Sequence, residues 1–419
     1  MQIWTIRGGK PLYGRLRVQG AKNSALPILA ACILSPCETE LRHCPRLRDV
    51  DTALEILRHL GCTARQEGER VYVDSRGLCR WDIPQELMQK MRSSILFLGA
   101  LLARCGAARL HVPGGCDLGE RPIDLHLMAL RALGADIREE NGVEASAENG
   151  LRGTHIHFRI PSVGATENAL LAACGAAGET VITGAAREPE IRDLAAFLQK
   201  LGADISGAGE SVIQVRGFSP VKKIQYSVMS DRIAASTYLC AVAAAGGELT
   251  LEDADRESIR SITDALAQMG CEISGQGTTL HLRSDGRLKA APPVETAAYP
   301  GFPTDAQPLL MAASLCAEGE SVFMENVFSD RFRHVPELRR LEAKIVTEGR
   351  VAVVTGVPEL CGAYLNATDL RGGAAMLIAG LRARGETVVS DSGHILRGYE
   401  DPQYCLRTLG ADIEMYEDM

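Results

Sequence analysis

Two kinds of helical segment alternate along this chain of 419 residues. The first kind carries apolar residues at helical spacing and ends in a phrase of the form LRALGADI, which recurs six times at intervals of about 70 residues. Such a phrase is typical of the last turn of an amphipathic helix that a glycine stops and a strand follows. The fourth residues of the six phrases are Leu60, Leu133, Leu201, Met269, Leu341 and Leu409.

The fifth of these phrases departs from the others, because Glu342 stands where they have glycine. Glycine adopts positive φ without steric cost, whereas other residues do so under strain. The sequence therefore leaves the geometry of this one helix end open.

The second kind of segment is rich in small apolar residues and precedes Gly-Glu and a β-branched strand. Clear copies are LLAACGAAGETVIT, LCAVAAAGGELTL, LMAASLCAEGESVF and LIAGLRARGETVV, and looser ones are FLGALLARCGAARLHV and LPILAACILSPCETEL. These helices are apolar on nearly every face, so we expect them to be buried. Six buried and six amphipathic helices, alternating with strands, predict an α/β architecture of repeated units. The period exceeds that of common solenoids, which favours two closed domains of three units each.

Polar residues stand just before or at the start of each buried helix, where backbone N–H groups are free to bind anions. If the units are related by rotation, these starts point the same way, and two such faces would enclose an anion-binding cleft. Asp and Ser can instead be simple caps. A cation opposes the helix dipole there and calls for a nearby anion. The residues are Lys22, Asn23, Arg92, Ser162, Asp231, Arg232, Asp305, Asp369 and Arg371.

The charge balance narrows the classes of function. A net charge of -8 without any block of Lys or Arg gives no support to general nucleic-acid or membrane-surface binding. The longest apolar runs are about half of a bilayer span, and the segment MQIWTIRGGKPLYG lacks the apolar core of a signal peptide. We therefore expect a soluble, cytoplasmic protein that binds small molecules, with no obligatory protein partner.

Thirteen cysteines raise the question of disulfides or metal. The count is odd, no CxxC pair occurs, and most of these residues lie in apolar segments, which indicates reduced thiols packed as small apolar side chains. Cys32, Cys37 and Cys44 are close in sequence but lack the paired spacing of a zinc site. Cys116 differs, because it lies among glycines in HVPGGCDLGERPIDLH and is expected on a loop that could cover a bound substrate.

Several motifs, taken in order, resemble those of UDP-N-acetylglucosamine enolpyruvyl transferases over the whole chain. They are GAKNSALPILAA, GGCDLGERPIDLH, SVGATENALLAA, AAREPEI, FPTDAQ, RFRHVPEL, ATDLR and RGYE. The resemblance implies transfer of the enolpyruvyl group of phosphoenolpyruvate to the 3′-hydroxyl of the sugar nucleotide with release of phosphate, the first committed step of peptidoglycan synthesis. It implies no metal or organic cofactor.

The resemblance also implies a two-domain inside-out α/β barrel built from six βαβαββ repeats, which closes on its substrates. In this family the N-terminal strand joins the C-terminal half. Residues 22–229 would then form the domain with the catalytic cysteine loop. Residues 1–21 plus 230–419 would form the domain with the catalytic aspartate.

The family's roles carry over to matching positions. Lys22, Arg121 and Arg397 would clamp phosphoenolpyruvate. Asp305 would take the proton of the 3′-hydroxyl, and Cys116 would protonate the methylene carbon as a general acid or act as a nucleophile. A cysteine at this position is also the target of fosfomycin in the family, which predicts sensitivity to that antibiotic.

Supporting contacts follow in the same way. Arg92 and Arg371 would support the charged pocket, Asn23 would bond near the reacting centre, and Arg331 would belong to the substrate site. His126 would be a supporting hydrogen-bonding residue. The nucleotide contacts implied are Arg121, Pro122, Asp124 and Leu125 for uracil, Ser162, Val163 and Gly164 for the diphosphate, and Val327 for the sugar.

Two other functions remain open from the sequence. Enolpyruvylshikimate phosphate synthase shares the repeat and the reaction type but lacks the cysteine loop. A non-catalytic UDP-sugar sensor descended from the enzyme would have no need to retain Lys22, Cys116 and Asp305. The stretch DLRGGAAML has glycines and alanines where serines are common in the family, which leaves the placement of Arg371 open.

Overall fold

The computed structural model describes residues 1–111, 114, 122–140, 142–218 and 221–417. Its strands are β1 Gln2–Arg7, β2 Leu12–Arg17, β3 Glu38–Arg42, β4 Thr63–Glu67, β5 Arg70–Asp74, β6 Asp82–Ile83, β7 Ala107–Leu110, β8 Asp136–Arg138, β9 Val143–Ser146, β10 His155–His157, β11 Glu179–Thr183, β12 Ala203–Ser206, β13 Val212–Phe218, β14 Lys223–Ser227, β15 Gly247–Glu252, β16 Glu272–Gln276, β17 Thr279–Ser284, β18 Val294–Glu295, β19 Glu320–Met324, β20 Lys344–Glu348, β21 Val351–Thr355, β22 Tyr364–Asn366, β23 Glu386–Asp391 and β24 Asp412–Glu417.

Helices alternate with these strands. The α-helices are α1 Lys22–Ala31, α2 Arg48–His59, α3 Gln85–Lys90, α4 Phe97–Cys105, α5 Asp124–Ala132, α6 Val163–Cys174, α7 Pro189–Lys200, α8 Arg232–Ala245, α9 Arg260–Gln268, α10 Gln307–Ala313, α11 Val335–Arg339, α12 Leu370–Arg382 and α13 Pro402–Thr408. Short 3₁₀ helices cover Arg92–Leu96, Ser314–Cys316, Arg331–His334 and Ile395–Arg397.

The described strands form six four-stranded sheets with one shared topology. In each sheet an edge strand runs parallel to the second strand, and the third and fourth strands are each antiparallel to the one before. The six orders are β14-β3-β5-β4, β6-β7-β9-β8, β10-β11-β13-β12, β2-β15-β17-β16, β18-β19-β21-β20 and β22-β23-β1-β24. This repetition confirms the six-unit α/β architecture predicted from the phrases.

The chain divides into two compact units. Unit 1 comprises the described residues of Met1–Gln19 and Ser230–Met419, and unit 2 comprises those between residues 20 and 229. Strands β1 and β2 complete sheets of unit 1, whereas β14 provides the edge strand of the sheet that begins with β3 in unit 2. Each unit therefore holds three sheets, and the strands that complete them come from distant parts of the chain.

The buried helices form the centre of each unit. In unit 1, α8, α10 and α12 pack against one another, and in unit 2, α4 packs against α1 and α6. The residues of α8 from Ile233 to Ala244 are all buried, as their all-round apolar character predicts. Each unit has its own apolar core cluster. Among the described residues, no helix has both the length and the apolar character that a bilayer crossing requires.

The repeated phrases end their helices as predicted. The glycines that follow them adopt left-handed φ values between 95° and 107°. Glu342 takes the same conformation, with φ of 69°, although it has a side chain. The turn after α11 thus has the same left-handed backbone as the other five, at a cost of about 1–2 kcal/mol in conformational energy.

Candidate functional site

Asp305 lies in unit 1 just before α10, between two buried arginines. Arg331 Nη2 donates to its Oδ1 at 2.9 Å, and Arg371 Nε donates to its Oδ2 at 3.2 Å. The arginine side chains are 1% and 2% exposed, whereas that of Asp305 is 29% exposed. Both carboxylate oxygens are therefore held in place while the group stays open to solvent, and a ligand hydroxyl could reach it.

The two arginines are fixed in turn by Thr304 and Asp369. Arg331 Nε and Nη2 donate to the Thr304 carbonyl at 3.1 and 2.9 Å, and its Nη1 lies 3.6 Å from Asp369 Oδ1. Asp369 is also the N-cap of α12, because its Oδ1 accepts the N–H groups of Arg371 and Gly372 at 3.0 and 3.1 Å. One buried carboxylate thus lies beside the Arg331 guanidinium and fixes the backbone from which Arg371 extends.

Arg371 occupies a position that its glycine-rich neighbourhood allows. Its guanidinium lies 5.4 Å from the centre of the Tyr399 ring, and the Tyr399 hydroxyl is 2.8 Å from Thr237 Oγ1. A Cβ atom at Gly372 would lie 2.6 Å from Asp369 Oδ2 and 2.9 Å from the Cβ of His334. A side chain at position 372 would therefore clash with its neighbours, and glycine avoids this. Although DLRGGAAML lacks the serines common in the family, Arg371 lies beside Asp305.

Capping accounts for part of the polar set that the sequence places at helix starts. Asp231 Oδ1 accepts the N–H groups of Ile233 and Ala234 at 2.8 and 2.9 Å, and Ser162 Oγ accepts that of Ala165 at 3.4 Å. By contrast, α10 has no side-chain cap. Asp305, which lies just before α10, instead accepts hydrogen bonds from Arg331 and Arg371.

Lys22 is the first residue of α1 in unit 2 and pairs with Asp49 of α2. Its Nζ lies 2.8 Å from Asp49 Oδ2, and the two side chains are 11% and 4% exposed. Asn23, the next residue, is exposed. The protein itself supplies a carboxylate to each of these helix-start cations, Asp49 to Lys22 and Asp305 to Arg371, so neither cation requires a bound anion for its charge to be balanced.

Arg92 does not begin an α-helix, contrary to its predicted place at the start of a buried one. It begins the 3₁₀ helix Arg92–Leu96, and α4 follows from Phe97. The side chain is half-buried. Its charge is close enough to His126 to help lower the pKa of that ring, after burial, which is the larger cause.

His126 belongs to a buried hydrogen-bonded network centred on Asn168. Asn168 Nδ2 donates to His126 Nδ1 at 2.9 Å and to the Ile95 carbonyl at 2.9 Å, and its Oδ1 accepts the Gly99 N–H at 2.7 Å. Burial lowers the pKa of His126 to about 4, so the ring is neutral near pH 7. Since Nδ1 accepts, Nε2 carries the proton.

The segments predicted to contact the nucleotide lie at the starts of α5 and α6, which pack together. Pro122 and Asp124 are exposed and Leu125 is half-buried, while Arg159 Nη2 donates to Asp124 Oδ2 at 3.1 Å. A Cβ atom at Gly164 would lie 3.0 Å from His126 Cε1. The ring of His126 therefore packs against the first turn of α6, which begins with Val163 and Gly164.

The lowered pKa of His126 predicts acid sensitivity. A folded-state pKa of about 4 against the ordinary 6.5 means that the unfolded chain binds an extra proton between these values. The free energy of unfolding is then full above pH 6.5 and falls as pH drops toward 4, by up to about 3 kcal/mol from this residue. His126→Asn, which keeps an acceptor for Asn168, should reduce this fall in urea titrations at pH 7 and 4.5.

The exposed His155 gives the matched control, because His155→Gln should leave the pH dependence as in the wild type. Burial also lowers the pKa of His334 in unit 1, so part of the acid sensitivity should remain in His126→Asn. An unchanged pH dependence in His126→Asn would contradict the assignment.

The remaining predicted residues of unit 1 lie on loops and turns. Val327 is 44% exposed after β19. Arg397 is half-buried at the end of the 3₁₀ helix Ile395–Arg397. Asp391 anchors that helix, since its carboxylate accepts three backbone N–H groups from residues 393–395 at 2.7 to 3.1 Å. Cys116 and Arg121 lie outside the described residues.

Sequence reasoning missed three supporting carboxylates. Asp49 could be recognised as an acid in the first turn of α2, but nothing in the sequence pairs it with Lys22. Asp391 accepts from backbone groups a few residues ahead, as acids in many turns do, so its position alone did not mark it as part of a site. Glu325 was missed because its bond to Thr304 joins two separate segments. Among the described residues, twelve cysteines are free thiols and no group of three His, Cys, Asp or Glu could hold a metal ion.

Comparisons with known proteins cover nearly the whole chain. A family model described as EPSP synthase (3-phosphoshikimate 1-carboxyvinyltransferase) matches residues 6–404. UDP-N-acetylglucosamine 1-carboxyvinyltransferase 2 of Caldanaerobacter subterraneus subsp. tengcongensis is 48% identical over 99% of both chains. UDP-N-acetylglucosamine 1-carboxyvinyltransferase 1 of Symbiobacterium thermophilum is 47% identical over 98% of this chain and 94% of its own.

Solved structures show the same fold. The enolpyruvyl transferase NikO from Streptomyces tendae matches with a TM-score of 0.88 and 28% identity, covering 100% of this chain and 99% of its own. EPSP synthase from Acinetobacter baumannii matches with a TM-score of 0.75 over 100% of both chains, at 20% identity. The predicted enolpyruvyl transferase fold is therefore confirmed.

Proposed function

The chain belongs to the UDP-N-acetylglucosamine 1-carboxyvinyltransferase family, and we propose on this basis that it transfers the enolpyruvyl group of phosphoenolpyruvate to the 3′-hydroxyl of UDP-N-acetylglucosamine. Inorganic phosphate is released. The reaction is the first committed step of peptidoglycan synthesis, and its substrates are small molecules. A cytoplasmic location is part of the proposal.

The chemistry requires one proton to leave the hydroxyl and one to reach carbon. In the addition step the sugar oxygen bonds to C2 of phosphoenolpyruvate while the methylene carbon gains a proton. In the elimination step that carbon loses a proton and the C2–phosphate bond breaks. We assign Asp305 to the hydroxyl proton and Cys116 to the proton on carbon.

Cations are needed because both substrates are anions. We assign Lys22, Arg121 and Arg397 to phosphoenolpyruvate, with Asn23 beside the reacting centre. Arg331 and Arg371 hold the base, since both donate to Asp305, and both remain part of the proposed substrate pocket. Arg92 adds positive charge beside His126. The starts of α5 and α6 are assigned to the nucleotide.

The observation that carries the proposal is the state of Asp305. Its side chain is 29% exposed, and both of its oxygens are bound by buried arginines. The carboxylate therefore has a fixed orientation and remains accessible to a ligand. A sugar sensor without catalysis would not need a carboxylate so held. The near-full-length similarity to enzymes of one name supports the same choice.

Phosphate release decides between the candidate functions. The enzyme is mixed with phosphoenolpyruvate and either UDP-N-acetylglucosamine or shikimate 3-phosphate, and inorganic phosphate is followed in time. We expect release with the sugar nucleotide alone. Release with the shikimate ester instead would favour the synthase, and binding without release would favour the sensor.

Cys116 gives the second test of the proposal. Cys116→Ala should lower phosphate release by about 10²- to 10⁴-fold, the usual range for loss of a general acid. Prior incubation with fosfomycin should block the wild type and form a covalent adduct at residue 116 in intact-mass analysis. The exposed Cys79 supplies the control, because Cys79→Ala should retain both activity and inhibition. Full activity in Cys116→Ala would refute the role.

A further inference from the structure

Glu325 is a buried carboxylate in unit 1 that takes no direct part in the proposed proton transfers. It follows β19 and is 1% exposed, although it is an acidic residue. An ionised group is rarely buried unless its oxygens are bound. The hydrogen-bond partners of Glu325 therefore indicate its structural role.

One oxygen of Glu325 holds the turn that carries Val327. Its Oε1 accepts the N–H groups of Val327 and Phe328 at 2.8 and 3.0 Å. Two backbone donors on one carboxylate oxygen fix the turn as a capping side chain fixes a helix start. Val327 is the residue assigned to the sugar, so this turn presents a proposed substrate contact.

The other oxygen of Glu325 holds the residue before Asp305. Its Oε2 accepts the hydroxyl of Thr304 at 3.0 Å. The carbonyl of the same threonine accepts two N–H groups of Arg331, at 3.1 and 2.9 Å. Thr304 is thus bound on its side chain and on its main chain, and Asp305 is the next residue.

These contacts form a closed ring. Arg331 holds Thr304 and Asp305, and its guanidinium lies 5.9 Å from the centre of the Phe328 ring. The backbone of Phe328 is held by Glu325, which also holds Thr304. Networks of buried polar groups are rigid when every member is satisfied.

From this ring we infer that Glu325 is a positioning residue that ties the sugar-contacting turn to the catalytic base. The inference rests on the proposed function, because Asp305 takes its role from it and Val327 takes its sugar contact from the family resemblance behind it. It assigns two separable effects to one carboxylate. Oε2 sets the direction of Asp305 through Thr304, and Oε1 sets the place of Val327.

Thr304 variants test the first effect. Thr304→Val has nearly the same shape but lacks the hydroxyl, so kcat should fall about tenfold, the worth of a hydrogen bond to a charged group. The KM for UDP-N-acetylglucosamine should stay within about twofold, since the turn keeps Oε1. Thr304→Ser, which keeps the hydroxyl, should recover most of the lost kcat.

Glu325 variants test the second effect. Glu325→Ala removes both carboxylate oxygens, and with them the bonds to Thr304 and to the turn that carries Val327. We therefore expect kcat to fall about tenfold and the KM for the sugar nucleotide to rise about tenfold. Glu325→Gln keeps one carbonyl oxygen for the turn and should bring that KM back toward the wild-type value. The double variant Glu325→Gln/Thr304→Val should show less loss of kcat than the two single losses combined, because both disturb one bond.

The controls separate the possible outcomes. Asp285→Asn weakens an exposed turn at the Arg287 N–H and should match the wild type in every kinetic constant. Wild-type kinetics in both Thr304→Val and Glu325→Ala would overturn the inference. Parallel loss of melting temperature, kcat and both KM values, without recovery by Thr304→Ser, would also overturn it. An inactive wild type would instead overturn the proposed function and this inference with it.

Discussion

Asp305→Asn should lower kcat by about 10²- to 10⁴-fold, the range expected when a general base is lost. Asparagine has nearly the same shape, but its one carbonyl oxygen can accept from only one of the two arginines, and its amide does not take a proton from a hydroxyl. Affinity for UDP-N-acetylglucosamine should change little. Single-turnover product formation and isothermal titration with the sugar nucleotide measure the two quantities separately.

A stability effect must be kept apart from this catalytic one. Asp305 is one of the anions that balance two buried guanidinium groups, so its replacement by a neutral amide should also lower the melting temperature. Asp412→Asn serves as the control, because Asp412 pairs with Lys10 at the surface and should matter little. A kcat close to that of the wild type in Asp305→Asn would rule out the assigned base.

Lys22→Met should reduce both stability and activity. The side chain of Asp49 is 4% exposed, and Lys22→Met removes the ammonium that lies 2.8 Å from this buried carboxylate. Breaking a buried pair in this way costs about 3–5 kcal/mol. Turnover should fall by roughly 10²-fold, since the proposed phosphoenolpyruvate clamp loses a cation.

Urea denaturation and steady-state kinetics measure the two effects of Lys22→Met. Lys90→Met is the matched control in the same unit, because Lys90 pairs with Glu55 at 2.7 Å with both side chains largely exposed. That variant should lose less than about 1 kcal/mol. Equal destabilisation in the two variants would contradict the special position of the Lys22–Asp49 pair.

The sequence predicts the repeat well because local rules determine it. The apolar pattern identifies the buried helices, and glycine marks most helix ends. Glu342 shows the limit of such rules, since tertiary packing imposes the same left-handed backbone on a residue that does not favour it. The pairing of β1 with β23 and β24 has no local signal at all, and periodicity alone does not reveal it.

The site is predicted less completely than the fold. Helix-start residues could be recognised by position, but their partners could not. Lys22 and Asp49 are 27 positions apart, as the numbering shows, and Asp305 and Arg371 are 66 apart. Such pairs are set by the packing of helices, which a single sequence does not encode locally. The same reason hid Glu325, whose bonds to Thr304 and to the turn after β19 join separate segments.

The arrangement of strands has a consequence for synthesis on the ribosome. The described residues of unit 2 all lie between residues 20 and 229, so its three sheets can form as soon as β14 has emerged. Strand β1 is made first but pairs only with β23 and β24, which are made last. At typical translation rates the wait is roughly 20–80 s. During that time Trp4 and Ile6, both fully buried in the finished protein, are exposed on the nascent chain. This segment is where a ribosome-associated chaperone would be most useful.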